Sequence, residues 1–286
     1  YVATPEMIYN EFSSGMQDIT ATKLFLKSLY DKPSTKTIKY VLLFGDASFD
    51  YKYRVPNMTY FVPIYQSKAS FSLYSSFCTD DFFGYLDDGE GKNMLNEDLD
   101  VAIGRMPVKT VAESATAISK VFNYKTPQTT FNDWRNKVLL IADDVDEAWE
   151  MDFVNYMDKL AVELDTAFPI FNIEKIYTDS YVQVVQAGSQ RYPEARQDLF
   201  RKVQSGNLVT SYLGHGGEVG WATERILQLA DITGWDNWQN MPLFSTITCE
   251  FTRVDDPYRV SAGEQLFLNP TGGAIALSST MRPVFA

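Results

Sequence analysis

The chain has 286 residues, with 25 basic against 37 acidic side chains, two cysteines and one histidine. A tetrahedral zinc module needs four ligands drawn mainly from Cys and His, and a pool of His215, Cys78 and Cys249 cannot supply one. A net charge of −12 argues against a nucleic-acid surface, which would need a basic face to displace counterions, and the longest apolar runs fall far short of the roughly 20 residues of a membrane helix.

In chain order, a helix is expected over 17–30, then a strand at 40–45. Residues 49–85 are irregular and rich in aromatic side chains, which are expected to pack down on the core. A strand follows at 100–104, and helical spacing at Val111, Ala115, Ile118, Val121 and Phe122. Further strands are read at 137–142, 172–177, 208–213, 243–249 and 273–278. Helices lie between them at Phe153, Tyr156, Met157, Leu160 and Leu164, and over 194–204 with Gly206 as its C′ residue. Alternation of apolar, β-branched runs with helical spacing predicts an α/β fold with mostly parallel sheets flanked by helices. The polar, Pro-containing stretch 125–133 marks a division into subdomains 1–130 and 131–286. No basic n-region or apolar h-region opens the chain at Tyr1, which reads as an internal fragment of a longer protein.

The informative stretch is 208–249. One apolar strand runs into Gly214-His215-Gly216-Gly217, and 34 residues later a second runs into Cys249. That spacing fits a strand, a crossover and a parallel neighbour, so both side chains should emerge at the carboxyl ends of adjacent strands, where open α/β sheets build their sites. A thiol near its free pKa is mostly protonated at neutral pH and needs a nearby imidazole to become a nucleophile. His215 is the single candidate, and it would return the proton to a leaving amine. The backbone N–H groups of Gly216 and Cys249 are the expected oxyanion hole. A serine triad is disfavoured, because no G-x-S-x-G elbow occurs. Read alone, the acidic clusters Asp80-Asp81, Asp87 to Glu90, Asn96 to Asp100 and Asp255-Asp256 are solvated loops. They could offer calcium its oxygen ligands, but none has EF-hand spacing, and no metal or cofactor is expected. Cys78 is expected to be a buried thiol.

The strand-then-His-Gly and strand-then-Cys order resembles the gingipain family of caspase-like cysteine peptidases. Phe44-Gly45-Asp46, Thr79-Asp80-Asp81-Phe82-Phe83-Gly84, the segment Asp100 to Arg105, Leu140-Ile141-Ala142-Asp143-Asp144 and Tyr212-Leu213-Gly214-His215-Gly216 extend the resemblance over most of the chain. The block from Cys249 through Asn269-Pro270 to Leu277 is more specific, and resembles the branch of that family that serves type IX secretion as sortase and C-terminal signal peptidase. The resemblance implies a caspase-like fold and thioester chemistry at Cys249. It also implies cleavage of C-terminal sorting domains from secreted cargo and transfer of the new carboxyl end to an amine of anionic lipopolysaccharide. Its setting would be the outer-membrane surface of a Gram-negative bacterium, beside a shuttle or barrel partner.

The family places a carboxylate near 143–146 to orient the imidazole, and Asp144 is the expected residue, with Asp143 next. A further family acid that reads a basic substrate side chain falls near Asp152, to which no role is assigned. Two other readings stay open: a secreted endopeptidase that only hydrolyses, and a non-catalytic module that binds cargo.

Overall fold

The computed structural model describes residues 1–32, 38–56, 62–69, 72, 74–92, 94–186 and 189–284. It divides into two units, Tyr1–Lys109 with Val254–Arg259, and Thr110–Arg253 with Val260–Ala286.

In the first unit Thr4 and Asp18 open the helices. Thr4 Oγ1 accepts from the Met7 N–H at 3.3 Å and Asp18 Oδ1 from the Thr20 N–H at 2.8 Å, satisfying donors that the first helical turn leaves unpaired. Helix α1 (Pro5–Phe12) and helix α2 (Ile19–Tyr30) follow these caps. Strand β1 (Tyr40–Phe44) pairs in parallel with strand β2 (Ala102–Met106). The aromatic stretch between them behaves in two ways. Phe83 and Leu86 are fully buried, and Tyr65 stacks on Phe82 at 4.9 Å, whereas Tyr51, Tyr53 and Tyr74 are exposed. Residues 57–61, 70, 71 and 73 of that stretch lie outside the described residues.

Several acids expected to be solvated are buried and matched instead. Asp80 receives a two-pronged contact from Arg105, at 2.8 Å from Nε and 2.7 Å from Nη2, while the same guanidinium donates to the carbonyls of Gly45 and Pro63 at 2.9 Å each. This planar fork suits a carboxylate and ties the 79–84 motif to the 100–105 motif. Asp255 accepts from Gln66 Nε2 at 2.8 Å, and Asp256 pairs with Arg259 at 3.1 Å. Asp87 and Asp88 are exposed, as solvated loops should be. Cys78 is buried, and no disulfide is formed among the described residues.

The second unit is built on a five-stranded sheet. Its strands are β3 (Lys137–Ala142), β4 (Asn172–Tyr177), β5 (Val209–Leu213), β6 (Leu243–Ile247) and β7 (Ala276–Ser279). They lie in the order β7-β6-β5-β3-β4, and every neighbouring pair is parallel. Helices α3 (Val111–Tyr124), α4 (Met151–Ala167), α5 (Pro193–Ser205), α6 (Leu229–Gly234) and α7 (Ala262–Leu268) accompany the strands. Helix α5 ends at Gly206, whose φ of 89° is the left-handed conformation glycine adopts without a Cβ penalty. The main core joins Leu139, Ile141 and Ile176 to Trp221, Trp235 and Phe244.

The units part at Lys109, not near residue 130, because α3 is anchored within the second unit. Lys120, fully buried on α3, donates to the carbonyls of Phe267 at 2.5 Å, Gly272 at 2.6 Å and Ala274 at 3.3 Å. Burial pushes its ammonium down to about 7, while three carbonyls match the three donors the charged form carries. The 125–133 stretch, expected to mark a subdomain boundary, is packed down as well. Arg135 donates to the carbonyls of Tyr124 at 2.7 Å and Thr130 at 3.1 Å, and its guanidinium lies over the rings of Tyr124, Phe131 and Trp134.

Candidate active site

Strands β5 and β6 carry the two chemistry-bearing residues to one level. Leu213 is the register partner of Ile247, so His215 and Cys249 each lie two residues beyond an aligned pair, on strands about 4.8 Å apart. The Gly214 N–H donates to the Ile247 carbonyl at 3.3 Å, which continues the pairing into both turns. Two glycines make the approach feasible. A Cβ on Gly214 would sit 2.3 Å from the Asp143 Cβ, and one on Gly216 would sit 2.5 Å from Thr248 Oγ1. Gly216 is thereby packed against the residue that precedes Cys249.

The imidazole is oriented by Glu150. His215 Nε2 lies 2.7 Å from Glu150 Oε1, and Glu150 Oε2 accepts from the N–H groups of Asp146 at 2.7 Å and Glu147 at 2.6 Å. Burial works to raise the Glu150 pKa, but the Glu147 N–H, the His215 ring and the Asp146 N–H together outweigh it and hold the carboxyl below its ordinary value. An ionised Glu150 can only accept a hydrogen bond, so Nε2 carries the proton and Nδ1 is left as the basic nitrogen of the neutral ring. Trp149 and Phe153 pack against His215 in T-shaped pairs, with centroids at 5.8 and 5.6 Å and interplanar angles of 86°. Glu150 ends the 3₁₀ turn Ala148–Glu150, which leads straight into α4.

Asp143 and Asp144, the residues expected to orient the ring, do other work. Asp143 Oδ2 accepts the backbone N–H of His215 at 2.8 Å, so it positions the turn and leaves the ring to Glu150. The Tyr212 hydroxyl donates to the His215 carbonyl at 2.6 Å. Asp144 bonds Tyr192 and Glu224, and the carboxyl groups of Asp143, Asp144 and Glu224 offer oxygens within 4.8 Å of one another. Burial raises all three pKa values, Asp143 to about 8 and Glu224 to about 7, and neighbouring carboxylates add to the rise. The trio is where a cation could be held, each residue offering one oxygen. Shared protons relieve the same repulsion.

The pH consequence has a definite sign. Carboxyls with raised folded pKa values bind more protons folded than unfolded between about pH 4 and pH 8, so their burial lowers stability as pH rises through that window. In Glu224→Gln the amide donates to Asp144 without needing a proton. Thermal melts should show a flatter pH dependence and, at pH 8, a Tm about 2–4 °C above wild type. Parallel curves from pH 5 to pH 8 would refute the shared-proton account.

Cys249 is half-buried. Its Sγ lies 3.5 Å from both the carbonyl and the N–H of Val284, the second of which donates to sulfur. Next to it, Glu250 takes a φ of 51°, a strained conformation of the kind that clusters at functional sites. Arg253 secures this turn by pairing with Glu250 at 3.3 Å and with Glu218, from the turn after His215, at 2.6 Å.

A family model described as Peptidase family C25 matches residues 1–286. The chain belongs to peptidase family C25. Members are cysteine peptidases of the gingipain type, and the fold agrees. The crystal structure of the Arg-specific cysteine proteinase gingipain R (RgpB) superposes with a TM-score of 0.67 at 18% identity, covering 96% of this chain and 56% of that one. The complex of the Porphyromonas gingivalis RgpB pro- and mature domains gives 0.63 at 18%, with the same coverage. A structure described only as a protease gives 0.66 at 17%, covering 93% and 50%. This C25 chain therefore spans about half the length of the solved structures it matches. No curated protein matches it. The parallel five-stranded sheet flanked by helices is the caspase-like α/β architecture expected from the sequence.

For this C25 chain, sequence reasoning missed Glu150. The available signal was Glu147-Ala148-Trp149-Glu150, an acid three residues after another at a helix entrance, and the structure shows reciprocal capping between them.

Proposed function

We propose that this chain carries the catalytic centre of a cysteine-dependent acyl transferase, with Cys249 as nucleophile, His215 as acid and base, and Glu150 as the positioning residue. The observation that carries this reading is the level register of β5 and β6, which brings a Glu150-held imidazole and a half-exposed thiol to the same sheet edge. Nδ1 takes the thiol proton as sulfur adds to the scissile carbonyl. The backbone N–H groups of Gly216 and Cys249 receive the oxyanion. Among the described residues the Cys249 N–H donates to no backbone carbonyl, which leaves it available for that role. As the tetrahedral adduct collapses, the C–N bond breaks, the amine takes the proton back from His215, and a thioester remains on Cys249. No metal or cofactor takes part in these steps.

The acceptor decides the product: water gives a carboxylic acid, and an amine gives an amide. The resemblance of the block from Cys249 to Leu277 to the type IX secretion sortase branch of the family supports the amine. In that reading the C-terminal sorting domain of secreted cargo is the substrate, and an amine of anionic lipopolysaccharide is the acceptor. The work is done at the outer-membrane surface beside a shuttle or barrel partner. Hydrolysis alone would use the same residues. Mass spectrometry of a cargo C-terminal segment, incubated with the full-length protein and increasing amine, tests both. Amide product that grows with amine is expected. Free acid at every amine concentration would remove the transferase step and leave a peptidase.

A further inference from the structure

A cavity of about 720 Å³ opens beside His215, within the size range of a substrate site. Its wall is the ribbon formed by Gly216–Gly217, Gly220–Trp221 and Leu227–Gln228, with apolar contributions from Val219, Leu227 and Leu229. Among the described lining residues there is no Asp or Glu, and apart from His215 the one titratable side chain is Arg225. Asp152, where an acid reading a basic substrate would be expected, lies in the first turn of α4 and is not part of this lining.

Arg225 is held in place by its backbone. The Ala222 N–H donates to the His215 carbonyl at 2.8 Å, and the Arg225 N–H donates to the Ala222 carbonyl at 3.2 Å. Gln228 Nε2 donates to the Arg225 carbonyl at 3.3 Å. Ala222 and Arg225 both take left-handed φ values, 62° and 61°. A non-glycine residue kept in that region costs free energy and persists where the surroundings enforce it. Trp221, stacked on Tyr212 at 4.3 Å, gives the turn a rigid base. The Arg225 side chain is exposed and makes no ion pair or hydrogen bond among the described residues.

We propose that Arg225 is the specificity-determining residue of this pocket, and that it selects a peptide whose side chain next to the scissile carbonyl is a carboxylate. This rests on the peptidase reading of His215 and Cys249. An exposed, unpaired guanidinium on the wall of a cavity with apolar members offers a planar fork that matches a carboxylate in two places. The apolar wall takes the methylenes of Glu or Asp, and a cationic side chain meets like charge. The preference is the reverse of the Arg specificity in the name of gingipain R.

The test uses full-length protein and a peptide series alike except for Glu, Gln, Ala or Arg at that position, with kcat/KM measured for each. Wild type should favour Glu over Gln by about ten- to a hundred-fold, the scale of one charge-assisted contact. Arg225→Ala should bring Glu and Gln level, and Arg225→Glu should turn the preference toward Arg. Labelling of Cys249 by a thiol-directed acylating probe, run beside each variant, shows that the centre is assembled. Equal rates for Glu and Gln in wild type, or an unchanged preference in Arg225→Glu with labelling intact, would overturn the proposal and leave the peptidase reading standing. If no peptide is cut and Cys249 takes no label in wild type, that reading fails and the proposal with it.

Discussion

Cys249→Ala is expected to abolish turnover, with kcat/KM falling on the order of 10⁵-fold or more, the scale on which loss of one member of a nucleophile and base pair acts. His215→Ala should fall about as far, because the chain holds no second imidazole to take the thiol proton. The double variant should lose no more than either single one, since the two residues act as a unit. That pattern is more telling than either loss, because two independent structural defects would multiply. Cys249 is half-buried and, among the described residues, belongs to no hydrophobic core cluster, so its alanine variant should melt within about 1 °C of wild type, as expected for changes away from the core. Rates for the four proteins on one peptide, with melting curves alongside, decide the matter. A Cys249→Ala protein that keeps a few per cent of wild-type rate would sink the assignment.

The parts legible in the sequence are those whose signal is local. Strands 137–142 and 172–177 match the observed β3 and β4 to the residue, because short apolar runs bounded by polar segments have few other uses in an α/β chain. The placement of His215 and Cys249 just past the ends of adjacent parallel strands followed from crossover length. What stayed hidden depends on contacts distant in sequence. Lys120 reads as an ordinary surface lysine on an amphipathic helix, and its partners lie 147 to 154 residues away, so the unit division they enforce had no local sign. The burial of Asp80 likewise depends on Arg105 reaching back 25 residues. Glu150 was missed for a different reason. A family carboxylate sought by counting from a strand end falls at 143–146, but the loop before α4 extends the chain first, and loop length is the least constrained feature between regular elements. Strand ends can be counted from the apolar pattern, whereas the residue at which a loop turns back toward the sheet cannot.

Glu150→Gln should lower kcat by about 10²- to 10⁴-fold with KM little changed. Glu150 is a positioning residue, and its contact is with the imidazole. The exchange keeps shape and volume, and the two backbone donors from Asp146 and Glu147 still have an amide oxygen to bond. With that oxygen so engaged, the amide nitrogen faces His215 Nε2. An amide N–H there forces Nε2 to accept, moves the ring proton to Nδ1 and removes the base that the thiol needs. The comparable exchange in a serine peptidase triad costs about 10⁴-fold through the wrong tautomer. A merely structural role predicts something else: loss of stability, a raised KM or both. Nitrogen-15 shifts of the His215 ring separate the cases, since they report which nitrogen carries the proton. The wild-type ring should be protonated at Nε2 when neutral, and the Glu150→Gln ring at Nδ1. Glu150→Asp, which shortens the reach but keeps an acceptor, should recover part of the rate with the wild-type tautomer. An unchanged tautomer in Glu150→Gln accompanied by full loss of kcat would show that Glu150 acts through something other than the ring it touches.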